Sequence, residues 1–262
     1  MPDIVVHNAM GEEVLKRLDR RISSQIDRDI FRFSVMGPDP YIFYRFFLIP
    51  LRRGINKRSA AMHLTKTGQF LMELAKNSRR TDMFSFLSGF LCHYALDSTT
   101  HPYICAKADN RGDLHTAIEH KLDRIELERQ GKEPKDIMKL FTRFPRLPEA
   151  WAAMEKVYGW KDDYFKKSYR HMKLFHWLAK DQHGILNALL GHWKGLPGVI
   201  SYRTRVCESM DLGAFDELRE ESAELAVKLI TAAENYRRGR IDEKELGKII
   251  GNRSYLGGDA EG

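Results

Sequence analysis

The stretch TDMFSFLSGFLCHYALDSTTHPYICAKADNRGDLHTAIEHKLDRIE, residues 81–126, decides the fold. Its apolar side chains recur at three- and four-residue steps, first Met83, Phe86, Phe90, Leu91 and Tyr94, then Leu114, Ile118, Leu122 and Ile125. That is the period of a helix and not of a strand. We expect one helix over 81–96 with Thr81 as its cap, and a second opening at Asp113, an N-cap residue. Working outward, Val14, Leu15, Leu18, Ile22, Ile26 and Ile30 stripe a helix over 12–30, closed by Gly37-Pro38. Another helix is expected over 57–76. Beyond the proline-punctuated FTRFPRLPEAW at 141–151, helices are expected at 149–158 and 162–181, with an apolar stretch at 185–193 and an amphipathic helix at 215–238. No run of strict apolar alternation interrupts them. The expectation is all-α: a single-domain multi-helix bundle over 1–251 with a metal site between helices, and a frayed, flexible tail, NRSYLGGDAEG, at 252–262.

Composition narrows the class. The 262 residues are 43 % hydrophobic with nine prolines, which suits a packed globular chain and neither a disordered nor a fibrous one. Forty-three Lys and Arg against 36 Asp and Glu leave a formal charge of +7, which favours anionic partners. No apolar run reaches the ~18 residues of a membrane-spanning helix. The opening residues MPDIVVHNAMGEEVLKRLDRR are too charged for a secretory signal, so the expected location is cytoplasmic. Cys92, Cys105 and Cys207 are odd in number and lack CxxC spacing, which argues for reduced thiols.

Chemistry concentrates in the histidines. Six of the ten lie within the first 120 residues. His93 and Asp97 are four apart, so both point to one face of a helix, and His115 and Glu119 repeat the spacing on the next. His101 lies between the pairs, expected one turn past a helix end and fixed by Pro102. His7, Asp39 in the turn MGPDP, and His63 in AAMHLTKTG precede them. A lone helical histidine is more often a packing residue than a ligand. Two His/carboxylate pairs with a third histidine between them are a metal-binding pattern.

This ordered set resembles the zinc-dependent phospholipase C and single-strand nuclease superfamily, whose members are all-α with a zinc cluster. The resemblance runs over about 1–123, through His7, Asp39, His63, His93 with Asp97 and His101 (HYALDSTTH), and His115 with Glu119 (HTAIE). It implies that Asp39, His63, His93 and Asp97 hold one zinc, that His101, His115 and Glu119 hold a second, and that Asp97 bridges to a third held by His7. Secreted members complete that third site with an N-terminal tryptophan, whereas this chain opens Met-Pro-Asp, so two or three ions are expected.

Imidazole and carboxylate suit zinc, and ions roughly 3.5–4 Å apart can stabilise both oxygens of a phosphodiester displacement while lowering the pKa of a bound water to about 7. Asp39 is the candidate catalytic residue, orienting or deprotonating that water as well as binding metal; its alternative is a plain turn residue. Asp123 and Glu126 are candidates to hold imidazole tautomers, or else belong to a solvated helix face. Between Asp39 and Glu73 lie six basic residues and no acidic one, with the aromatic run YIFYRFF. This suits an anionic phosphodiester, a phospholipid at a membrane surface, or nucleic acid, although core packing of the aromatics is the commoner arrangement. His171, His176, His183 and His192 lack paired carboxylates and read as packing or surface residues. Three functions follow: a phospholipase C-like phosphodiester hydrolase, a single-strand nuclease on the same scaffold, or a non-catalytic metal-stabilised binder of lipid or nucleic acid.

Overall fold

A computed structural model describes residues 4–48, 51, 54–161, 164–179, 207 and 209–261. It is all-α, and among the described residues the only extended pairing is two isolated bridges, Thr65 with Glu261 and Arg253 with Asp259. The apolar stretch at 185–193, His183, His192 and the last residues of the helix expected over 162–181 lie outside the described residues.

The decisive stretch forms a central helix. Thr81–Lys107 (α6) is buried at every position from Met83 to Asp97, so its apolar face is not a stripe but the whole surface. Ala214–Arg237 (α10) and Arg28–Ser34 (α3) pack against it most extensively. The crossing with α3 needs Gly89, where a Cβ would fall 2.0 Å from Ser34 Oγ and 2.5 Å from Phe31 O. The helix does not stop at Leu96. It continues through Pro102, whose missing N–H costs one bond in a well-packed helix, so His101 is helical and not a residue beyond the end.

Two expected helices are broken, for different reasons. The 12–30 stripe is divided among Ile4–Arg17 (α1), Arg20–Ser23 (α2) and α3. Asp19 accepts from Arg21 N, and Asp27 from Asp29 N and Ile30 N, so two aspartates cap new helices inside the periodic run. Val14, Leu15, Leu18, Ile22 and Ile26 are buried all the same. The 57–76 segment splits into Lys57–Leu64 (α4) and Thr67–Lys76 (α5) at Lys66, which adopts φ 53°. There the tail docks: Lys66 N donates to Glu261 O at 2.8 Å and Glu261 N to Leu64 O at 3.0 Å. The frayed tail expected at 252–262 is therefore corrected, because Ser254 and Tyr255 are buried and its backbone bonds to the α4–α5 junction.

The remaining helices follow the sequence closely. They are Gly112–Arg129 (α7), Pro148–Tyr158 (α8), Phe165–Ala179 (α9), α10 and Glu243–Ile250 (α11), with 3-10 helices at Asp39–Phe43 and Pro134–Leu140. Of the aromatic run, Tyr41, Tyr44 and Phe46 are buried, the core arrangement weighed above. His176 is buried among Phe43, Phe141 and Phe175.

Candidate metal centre

Helix α6 carries His93, Asp97 and His101 at successive four-residue steps, a line of about 12 Å at 1.5 Å per residue. α4 ends beside it and presents His63 in its last turn, the 3-10 helix opens with Asp39, α1 contributes His7, and α7 contributes His115 and Glu119. All eight positions read from the sequence reach this line. One ligand atom from each of Asp39, His63, His93 and Asp97 lies within 4.8 Å of the others, and the same holds for His101, His115 and Glu119.

Asp97 is the hub and is wholly buried. Its Oδ2 sits 3.1 Å from His93 Nε2 and 3.3 Å from His63 Nε2, while Oδ1 faces His7 Nε2 at 3.3 Å. Asp39 Oδ1 lies 3.4 Å from His63 Nε2 and 3.8 Å from His93 Nε2. In the second group Glu119 Oε1 is 2.7 Å from His115 Nε2 and 3.8 Å from His101 Nε2. His7 stacks on His93 with centroids 4.4 Å apart.

The far side of each ring fixes its tautomer. Nδ1 of His63 faces Ser59 O at 2.6 Å, Nδ1 of His93 faces Val35 O at 3.1 Å, and Nδ1 of His101 faces Tyr255 O at 2.7 Å. A carbonyl only accepts, so each Nδ1 carries a proton and Nε2 is the atom turned inward, presenting a lone pair whenever the ring is neutral. Those three Nε2 atoms, both oxygens of Asp97 and Oδ1 of Asp39 make no hydrogen bond among the described residues. Buried acceptors facing one another without a donor are unstable unless a cation lies between them. Nitrogen and carboxylate oxygen donors with backbone-anchored imidazoles fit zinc.

Electrostatics agree with the geometry. Burial alone would raise Asp97, but His93, His101 and His7 around it hold it well below the ordinary carboxylate range. Burial works against protonation of His63, yet the Asp39 and Asp97 carboxylates outweigh it and raise the ring to about 9. Burial lowers His7 and His101, and takes His115 down to about 3.

Several supporting groups had no sequence signal. The anchoring carbonyls of Val35 and Tyr255 lie 58 and 154 residues from their histidines; only Ser59, one helical turn before His63, was within reach of a local argument. The Tyr255 ring packs edge-on against His63 at 4.9 Å, and Cys105 Sγ lies 3.8 Å from His115 Nδ1. Asp123 takes a role that its spacing did not announce, accepting from Val5 N and Val6 N at 3.2 and 3.0 Å and so anchoring the start of the helix that carries His7. Glu126 pairs with Arg219 at 2.9 Å.

Gly37 shapes the pocket as well. At its φ of 51°, a Cβ would lie 2.3 Å from His93 Cδ2. Gly37→Ala is expected to lower unfolding free energy by about 2–4 kcal/mol, from left-handed strain plus overpacking, and to reduce bound metal by displacing the ring. Denaturant titration alongside elemental analysis reads both; native stability with native metal content would contradict the contact.

The family model for zinc dependent phospholipase C matches residues 6–176, which includes all eight of these side chains. No curated protein and no solved structure matches the chain. The match spans well over half of the sequence and its order of histidines and carboxylates is the one assembled in the fold, so the chain belongs to the zinc-dependent phospholipase C family.

Proposed function

We propose that this protein is a zinc-dependent phosphodiester hydrolase of the phospholipase C type, acting on a phospholipid-like substrate. The observation that carries the reading is the convergence of buried, unbonded imidazole nitrogens and carboxylate oxygens on Asp97. In this reading Asp39, His63, His93 and Asp97 hold one zinc, and His101, His115 and Glu119 hold a second. His7 and Asp97 Oδ1 provide for a third. Zinc, when bound, supplies Lewis acidity toward a phosphoryl oxygen and acidifies water at neutral pH.

The chain's own residues do the rest. Asp39 has the more exposed carboxylate of its group, 8 % against none for Asp97. In this reading Asp39 orients the attacking water and accepts its proton. The carbonyls behind His63, His93 and His101 keep those rings from rotating, which preserves the geometry through turnover. The basic, acid-free segment 40–72 draws an anionic phosphodiester toward the site.

Zinc-loaded protein is expected to hydrolyse a water-soluble choline or ethanolamine headgroup phosphodiester, to lose turnover in chelator and to regain it with zinc. Asp39→Asn should lose most of kcat together with part of the zinc of the first site, since Asp39 is also one of its ligands. Cleavage of single-stranded DNA in place of headgroup esters would assign the nuclease function, and zinc bound without turnover of either would assign the binding role.

Acid–base linkage offers a separate check. His63, raised to about 9 in the metal-free fold, contributes stability that is complete below its unfolded pKa of about 6.5 and is lost as pH rises through about 9. The lowered rings, His7, His101 and His115, act in the opposite sense and cost stability as pH falls below about 6.5. Chelated protein should therefore lose Tm between about pH 6.5 and 9, and zinc-loaded protein should not, since the metal occupies Nε2 throughout. Identical pH profiles for the two forms would contradict the assignment of His63.

A further inference from the structure

Five of the seven large apolar side chains exposed among the described residues fall on two neighbouring elements. Ile42, Leu48 and Leu51 belong to the 3-10 helix and the chain after it; Leu174 and Trp177 belong to α9. The elements are packed together. Phe43 and Phe46 meet Phe175 at 4.9 and 5.4 Å, and Arg45, at a left-handed φ of 48°, donates its N–H to His171 Nδ1 at 3.1 Å. The sequence around these elements is basic. Residues 40–72 and 164–180 hold eleven Lys and Arg and no Asp or Glu, which leaves the rest of the chain with 32 basic against 36 acidic residues.

On α9, Lys166, Arg170, Lys173, Leu174 and Trp177 follow helical spacing and share one exposed face. Arg143 and Arg146 extend it. With Lys166, Arg170 and Lys173 they line a groove over Phe144 and Trp151 that no acidic residue enters, and none of the five cations is ion-paired among the described residues. Scattered surface leucines need no explanation. Leucine and tryptophan set among unopposed cations are a different case: the rings and alkyl groups enter the headgroup layer while Lys and Arg extend toward lipid phosphates.

We propose that the exposed face of α9 that carries Lys166, Arg170, Lys173, Leu174 and Trp177, with Arg143 and Arg146 beside it, docks the protein on an anionic lipid bilayer. Charge complementarity selects this occupant, and exposed Trp177 and Leu174 distinguish it from a purely electrostatic surface. The inference needs no turnover, so it stands apart from the hydrolase reading.

The test is co-sedimentation of the full zinc-loaded chain with vesicles of phosphatidylcholine, alone or mixed with phosphatidylserine, with hydrolysis of a water-soluble phosphodiester followed in parallel. The native protein should pellet with the anionic vesicles, not with the neutral ones, and release in high salt. Arg170→Glu with Lys173→Glu should weaken partitioning at least about tenfold, and Leu174→Ser with Trp177→Ser several-fold; both should leave soluble turnover and the thermal melt unchanged. Failure to pellet with anionic vesicles, or variants that pellet like the native chain, would overturn the proposal. So would a vesicle affinity indifferent to Leu174 and Trp177 beside tighter binding of a single-stranded oligonucleotide, which would reassign the face to nucleic acid.

Discussion

Asp97→Asn is expected to empty the first metal site, to prevent a third ion from binding beside His7, and to leave the His101–His115–Glu119 group loaded. The geometry gives the reason. One carboxylate serves three imidazoles, with Oδ2 toward His63 and His93 and Oδ1 toward His7. Asparagine keeps the volume, so the core of α6 survives, but its amide donates hydrogen bonds to the lone pairs that a metal would take. Activity should fall well beyond the roughly 10–100-fold that follows loss of an outer partner of a ligand. Stability offers a readout independent of substrate. Zinc at a hundred times its Kd stabilises the native chain by about 2.7 kcal/mol, or roughly 5–10 °C in Tm for a chain of this size. Chelator should remove that increment from the native protein and most of it should already be missing from Asp97→Asn. Native zinc content in the variant, with a full chelator shift, would mean that Asp97 is an ordinary buried acid.

That prediction could be framed from sequence because its elements are local. His93 with Asp97 and His115 with Glu119 are each one helical turn apart, and a helix converts that spacing into a shared face whatever surrounds it. Joining the pairs into one centre required the resemblance, since nothing local brings Asp39 or His7 to α6. The failures are equally physical. Periodicity carried the first helix across Asp19 and Asp27, although both residues favour caps and both act as caps here. The central helix is expected over 81–96 with Pro102 beyond its end, yet it runs on to Lys107, with Thr100, His101 and Ile104 buried on either side of the one bond that Pro102 cannot make. The division between α4 and α5 lies at Lys66, where the partner is Glu261, almost two hundred residues away. Pairings at that distance leave no local signature.

The tail is where this matters most for function, and truncation after Gly251 is expected to damage the metal centre as well as the fold. Residues 252–261 supply Tyr255 O to His101 Nδ1 at 2.7 Å, Tyr255 N to His63 O at 2.8 Å, and the Tyr255 ring against His63. They also give Asn252 Oδ1 to Gly68 N at 3.0 Å. Loss of a buried aromatic side chain alone costs about 3–5 kcal/mol, and truncation is expected to destabilise the fold by a few kcal/mol. Tm should drop by roughly 5–15 °C. Zinc should be weakened by about 10–100-fold at the His101 group, because the ring no longer has an acceptor that keeps its proton on Nδ1. Two point variants separate the causes. Tyr255→Phe retains ring and carbonyl and should resemble the native chain, whereas Tyr255→Ala retains the carbonyl alone, losing stability while the His101 site still binds. A truncated protein that melts lower but holds zinc at native affinity would show that the tail only packs; a loss of affinity confined to truncation would locate its contribution in one backbone oxygen.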